Sequence, residues 1–196
     1  MNISEVSSIL KHGGVALLPT DTVYGLAADP ANPIAVQKIF ELKSRPTEKN
    51  LPILAANAGQ IKKLGARIDG RIQKLLDSKW IPGPLTLILE IEPESAPDWL
   101  EHREEIAIRI PDNTFLLSLL ALTGPLHATS ANKSGMDPAE DVASVLRQLS
   151  GAPDVTVDGG PCSGASSTII NCQTNPFLVH RRGALSSDDL SEILSI

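Results

Sequence analysis

Residues 17–29 read LLPTDTVYGLAAD. An apolar run stops at Pro19, the polar segment Thr20-Asp21-Thr22 follows, and after Tyr24-Gly25 an apolar run resumes. Short runs of Leu, Val and Ala bounded by proline and glycine read as strands, here over 15–19 and 25–29. A connecting turn needs only glycine or asparagine. This one carries two threonines, a carboxylate and the only tyrosine of the chain. So many hydrogen-bonding groups at the end of a core strand make that end a candidate site.

The alternation of short apolar runs with helical patterns continues on both sides. Strands are expected at 51–56, 85–91, 105–111, 126–130, 155–159, 167–172 and 177–181. Helices are expected at about 4–12, 33–44, 58–64, 69–79, 113–122, 138–149 and 187–194. Asn32 can cap the second helix, and Pro33 suits its first position. Some strands are separated by helices and others only by turns. That mixture predicts an α/β fold with a twisted mixed sheet and flanking helices, rather than a purely parallel doubly wound sheet. No repeat or low-complexity linker divides the 196 residues, so a single domain, 1–196, is expected.

The composition narrows the partners. Hydrophobic residues make up 42% of the chain but aromatics only 3%, so Leu, Ile, Val and Ala must fill the core. A net charge of −6 argues against a surface that grips nucleic acid everywhere, though not against a basic pocket in an acidic body. Cys162 and Cys172 have no neighbouring Cys or His at ligand spacing and read as reduced thiols. The N-terminus MNISEVSSILKHGG lacks a signal-peptide pattern, and no apolar run reaches the ~20 residues of a membrane span, so a cytoplasmic chain is expected.

Several residues carry possible chemistry. In the helix from Pro33 the apolar stripe Val36, Ile39, Phe40 continues at Lys43, so this cation extends the core-facing side. Lys43 and Arg45 either satisfy the helix C-terminus or together clamp an anion such as a polyphosphate. In EIAIRIP, Ile106, Ile108 and Ile110 share one strand face and Ala107 and Arg109 the other. That second face is either solvated or the floor of a cleft in which Arg109 meets a carboxylate or phosphate. In HATSANKSG, residues 127–135, Thr129, Ser130, Asn132 and Ser134 suit phosphate or ribose oxygens, or simply an ordinary turn. DGGPCSGASSTII, residues 158–170, is glycine-rich but has no Gly-Lys-Ser/Thr, and no GxGxxG joins a strand to a helix, so both standard nucleotide fingerprints are absent. Of the adjacent Arg181 and Arg182, at most one can face a given cleft. His12, His102, His127 and His180 form no triad or metal spacing and read as structural or surface groups. Asp112, Asp137, Asp141 and the Glu104–Glu105 pair read as caps and solvated charges.

Taken in order, PTDTVYGL, KSRP, WIPGPLTLIL, AIRIP, ATSANKSG, SSTII and RRGAL resemble the motifs of the TsaC/YrdC family of threonylcarbamoyl-AMP synthases across nearly the whole chain. The resemblance implies a YrdC-like domain with a deep concave cavity. It implies synthesis of L-threonylcarbamoyl-adenylate and pyrophosphate from L-threonine, bicarbonate or CO2, and ATP. A TsaD-type transferase then moves the threonylcarbamoyl group to tRNA. By the same resemblance Lys43 and Arg45 are the catalytic pair. L-threonine falls to Thr20, Thr22, Tyr24, Arg109, Thr129 and Ser167, and ATP to Lys43, Arg45, Thr86, Ser130, Asn132 and Arg181. Mg²⁺ enters with ATP, and no protein-bound metal site is implied. Weak tRNA binding is a possible addition.

Two departures from the family stand out. Longer relatives carry a histidine on the strand after the Lys-x-Arg helix, where this chain reads LPILAAN, so that contact is expected to be missing or replaced. The extra C-terminal domain of the longer synthases is not expected, so any lid function of their linker has to come from elsewhere. Two other readings compete. One is a non-catalytic tRNA or double-stranded-RNA-binding member of the same fold, which the net acidity and the Lys-x-Arg and Ser-x-Asn sets oppose. The other is the carbamoyl-adenylate chemistry of hydrogenase maturation, where the fold is one module of a much larger chain.

Overall fold

A computed structural model describes residues 2–100, 103–162 and 164–196, so His102 lies outside the described residues. The strands are β1 (Ala16–Leu18), β2 (Gly25–Ala28), β3 (Ile53–Leu54), β4 (Leu85–Glu90), β5 (Glu105–Arg109), β6 (Leu126–Ser130), β7 (Val155–Thr156), β8 (Thr168–Asn171) and β9 (Leu178–Arg181). The helices are α1 (Ile3–Lys11), α2 (Pro33–Lys43), α3 (Ala58–Lys63), α4 (Gly70–Leu76), α5 (Thr114–Thr123), α6 (Val142–Gln148) and α7 (Ser187–Leu194). The strands form one mixed sheet in the order β7-β1-β2-β6-β3-β5-β4-β8-β9.

Each expected element is present, and two helices are shorter than their apolar pattern. The α6 pattern begins at 138, but Asp141 caps the helix by accepting from the Ser144 amide, so the turns start beyond it. The α4 pattern runs to 79, but the chain leaves the helix at Asp77 and reaches Pro82, whose ring disfavours helical backbone in the residue before it.

The register explains where the site lies. Leu54 pairs with Arg109, Ala107 with Ile88, Thr86 with Ile169 and Ile169 with Arg181, so these side chains share one sheet face. Ile53, Ile106, Ile108, Leu85, Leu87, Leu89 and Ile170 alternate onto the other face, where they pack against α3, α4 and α7. A one-residue slip of β5 would exchange buried Ile106 and Ile108 for Ala107 and Arg109. Each buried Ile contributes about 1.5–3 kcal/mol, so this register is firmly held. The first face is covered by α1 and α5 along β1, β2 and β6. Beyond β3 it bears Thr86, Ile88, Ala107, Arg109, Ile169 and Arg181, which line a cavity instead.

Candidate functional site

The cavity encloses about 390 Å³. Its walls come from the Thr20–Gly25 corner, from Arg45 and the 50–52 segment after α2, from β4, β5 and β6, and from Ser166, Ser167, His180 and Arg181. Gly183 packs against the backbone of Ser166 and Ser167 so closely that a β-carbon there would lie 2.3 Å from the Ser166 carbonyl oxygen. The RRGAL segment therefore braces the Ser166–Ser167 wall only because residue 183 is glycine.

Arg109 is the best-anchored group. It is 8% exposed, and its Nε donates to the Gly83 carbonyl at 2.9 Å. Its Nη1 donates to Thr22 Oγ1 at 2.7 Å and its Nη2 to Asp21 Oδ1 at 2.6 Å. Thr20 holds the corner in shape. Its Oγ1 accepts from the Thr22 and Val23 amides at 3.0 and 3.1 Å and bonds the Val23 carbonyl at 2.7 Å. The polar corner thus exists to fix Arg109 as well as to face the cavity. Asp21 has no assigned role in the sequence, because its partner lies 88 residues away.

Tyr24 shapes the wall but its hydroxyl points elsewhere. It donates to the Gly160 carbonyl at 2.7 Å and accepts from the Gly159 amide at 3.0 Å, tying the glycine-rich loop to the corner. The loop therefore acts here as a brace.

The second centre is Lys43. Asn32 caps α2 through the Ile34 and Ala35 amides. At the other end Ser44 adopts a left-handed backbone at φ 48°, and the Arg45 amide returns to the Phe40 carbonyl at 2.9 Å. This reversal leaves Lys43 on the inner face, 2% exposed, and puts Arg45 on the cavity wall. Lys43 Nζ donates to the Ser130 carbonyl and, at 2.7 Å, to the Asn132 carbonyl. Burial, reinforced by the Arg45 charge, pulls its pKa down to about 8. Lys43 and Asn132 stand behind the cavity wall, not on it. The Asn132 side chain is itself committed, its Nδ2 donating to the Lys133 and Met136 carbonyls.

Thr86 and Ser167 hydroxyls bond each other at 2.8 Å, and the Ser167 carbonyl accepts from Arg181 Nη2 at 2.7 Å. Thr129 and Ser130 line the wall at the end of β6. Arg45 donates through Nη2 to the Asn50 carbonyl, while its buried Nε has no hydrogen-bond partner among the described residues. Burial lowers the pKa values of Arg45 and Arg181, the latter also through its proximity to Arg109.

Arg103, to which the sequence gives no role, also lines the wall, as do Glu105 and His180, which the sequence reads as a solvated charge and a structural or surface histidine. Glu105 opens β5, and its carboxylate accepts from Gln173 Nε2 at 2.7 Å. His127, by contrast, is buried, stacks edge-on against Trp99 at 5.4 Å and is held by burial at a pKa of about 4, a structural histidine as expected. Cys172 is buried, Cys162 is half-buried, and neither forms a disulfide.

The family model for Sua5/YciO/YrdC, described as telomere recombination, covers residues 8–183. The chain belongs to this family. A Bacillus subtilis protein named Threonylcarbamoyl-AMP synthase is 33% identical over 195 residues, 98% of this chain and 56% of its own length. A Photobacterium profundum protein of the same name is 35% identical over 151 residues, 76% of this chain and 81% of its own length. The crystal structure of P. abyssi Sua5 complexed with L-threonine superposes with a TM-score of 0.88 at 31% identity, over 97% of this chain and 56% of that one. The chain therefore spans little more than half the length of the Bacillus and P. abyssi proteins. Among the described residues, no helix is long and apolar enough to cross a membrane.

Proposed function

We propose that this chain joins L-threonine, bicarbonate or CO2, and ATP into L-threonylcarbamoyl-adenylate, releasing pyrophosphate, as a nucleotidyltransferase of tRNA modification. The observation that carries the reading is one cavity whose walls hold two kinds of site. One is a corner of Thr22, Arg109 and Ser167, and the other is a wall bearing Arg45, Ser130 and Arg181. The names of the two synthase relatives and the threonine in the P. abyssi complex support the same assignment.

In this reading Arg109 takes the threonine carboxylate. Three of its five N–H groups are engaged by Gly83, Thr22 and Asp21, which fixes the plane of the guanidinium and leaves two N–H groups for a ligand. Ser167, Thr129 and the Thr20–Thr22 corner supply hydroxyls, and Tyr24 holds the corner's shape. A site built from such paired groups rejects ligands that leave them unpaired. Arg45 and Arg181 bind the triphosphate with Thr86 and Ser130. Lys43 adds its charge from behind the Ser130–Asn132 backbone.

The threonine ammonium first loses a proton to solvent, and the free amine then bonds to the carbon of CO2, opening one C=O π bond and releasing a second proton, or to the carbon of bicarbonate with loss of water, giving a carbamate. A carbamate oxygen then bonds to the α-phosphorus as the bond to pyrophosphate breaks. Fixed cations offset the charge that builds on the phosphate oxygens and align two anions that repel in water. The chemistry needs no covalent protein nucleophile. Mg²⁺ would be carried on the phosphates and neutralise part of their charge. Among the described residues no group of three or more His, Cys, Asp or Glu is placed to hold a metal ion. The product passes to a TsaD-type transferase that modifies tRNA in the cytoplasm, and weak direct tRNA binding is compatible with the arginine-lined cavity.

Pyrophosphate release by the purified chain tests the reading. Release that requires both L-threonine and bicarbonate is expected. Release without threonine would point to a different acceptor. No release and no ATP binding, with salt-sensitive RNA binding instead, would favour the non-catalytic alternative.

A further inference from the structure

The cavity sets a problem for its own selectivity. Arg45, Arg103, Arg109 and Arg181 all line it, and Arg181 is close enough to Arg109 for the two charges to repel. A polyphosphate drawn in by such a cluster has no electrostatic reason to stop short of Arg109. The one wall carboxylate among the described residues, Glu105, is occupied by Gln173. Asp21, however, stands just behind the wall and meets Arg109 at 2.6 Å, with side-chain exposures of 14% and 8% for acid and base. At that distance and burial the pair is nearly neutral to a charge in the cavity, while Arg45 and Arg181 have no carboxylate partner among the described residues.

We propose that Asp21 is a positioning residue that sets the specificity of this corner: by neutralising and orienting Arg109 it lets the corner hold a zwitterionic amino acid and turns away the polyphosphate that the neighbouring arginines attract. The inference rests on the amino-acid reading of the corner given above. A zwitterion has no net charge and loses little when Asp21 stands behind its Arg109 contact. A bare anion meets a pair whose attraction for it is largely cancelled. This also accounts for the carboxylate in PTDT, which a mere turn would not require.

Calorimetric titration tests it, with L-threonine as one ligand and inorganic tripolyphosphate as the polyphosphate probe. In the wild-type chain, saturating tripolyphosphate should change the threonine affinity less than about two-fold. In Asp21→Asn, tripolyphosphate should compete with threonine directly, and threonine should bind at least ten-fold more weakly because Arg109 Nη2 loses the carboxylate that orients it. Asp21→Glu keeps the charge and should restore the exclusion of tripolyphosphate, a rescue that lost packing alone would not give. Should Asp21→Asn not fold, the wild type still decides the matter. The deaminated analogue, 2,3-dihydroxybutyrate, should bind at least ten-fold more weakly than threonine. A folded Asp21→Asn protein with wild-type threonine affinity and no competition would overturn the inference alone, as would equal binding of threonine and the analogue. A wild-type chain that binds no threonine would overturn both the inference and the reading beneath it.

Discussion

Lys43 and Arg109 both carry a charge into the interior, 2% and 8% exposed, and the chain satisfies them in opposite ways. Arg109 meets a carboxylate, a hydroxyl and a carbonyl. Lys43 meets the carbonyl oxygens of Ser130 at the end of β6 and of Asn132 just beyond it, has no carboxylate partner among the described residues, and feels the Arg45 charge. A carbonyl cage satisfies hydrogen bonds without cancelling charge. A carboxylate cancels it. One half of the site is therefore left electropositive, with the lysine pKa lowered first by burial and then by the Arg45 charge, and the other is held near neutral. That difference suits the proposed reaction, in which a polyanionic nucleotide and a zwitterionic amino acid are two of the three substrates.

Removing the uncancelled charge should have the largest effect. Lys43→Ala is expected to lower pyrophosphate release by about 10²–10³-fold, the range for deleting one group that stabilises developing charge. The Ser130 and Asn132 carbonyls lose a donor, which costs about 1–3 kcal/mol, but the desolvated ammonium disappears with it. The two terms oppose each other, so urea unfolding should show a modest loss. A collapse in stability with activity retained per folded molecule would make Lys43 a purely structural group.

Arg109→Ala comes next. It should raise the KM for threonine by about 10²-fold with little change in the KM for ATP. It should also cost about 3 kcal/mol in urea unfolding, because Asp21 is left without its partner. If the ATP term moved and the threonine term did not, the division of the cavity into two halves would be wrong.

This division is only partly legible in the sequence. The stripe Val36, Ile39, Phe40, Lys43 shows that a lysine points inward, and the alternation in EIAIRIP shows that Arg109 faces away from the isoleucines. Both are local periodicities, and local periodicity is what a sequence displays directly. Asp21 is silent because its partner arrives from β5, across the sheet order β2-β6-β3-β5, which no local pattern encodes. The same applies to His180 and Arg103 on the wall, and to Tyr24, whose hydroxyl meets Gly159 and Gly160 some 135 residues on. Asn132 is expected from the motif to touch the nucleotide, and its position behind the wall reflects loop closure by the Met136 carbonyl.

Acidity should separate the two cations with a smaller effect. Lys43 has a native pKa of about 8 against 10.5 for a free lysine, so below pH 8 it is protonated in both states and the cost of burying it is fully present. Between pH 8 and 10.5 the unfolded chain binds more protons than the native one, so this group makes stability rise with pH. Activity should move the other way: kcat/KM for ATP, which reports the free enzyme, should fall above about pH 8 as the ammonium is lost. Arg109 keeps its proton throughout this range. The affinity for threonine, referred to the fraction of free threonine that is still zwitterionic, should therefore stay level from about pH 7 to 9 while ATP use declines, and parallel decline of both would mean that one charge serves both halves.

The smallest effect is expected where the halves meet. Thr86 and Ser167 share a hydrogen bond of 2.8 Å between β4 and the residue before β8, and Ser167 also accepts from Arg181. Thr86→Val keeps the shape but leaves the Ser167 hydroxyl with one protein partner fewer in a buried position, a loss of about 1 kcal/mol. Ser167 sits on the threonine side of the proposed site and Arg181 on the phosphate side. Loosening this link should therefore raise both KM values by a few-fold. A change in only one would place the Thr86–Ser167 pair wholly within that half and move the boundary accordingly. Because the substitution deletes no charge, it tests the geometry of the boundary separately from the electrostatics that Lys43 and Arg109 set on either side of it.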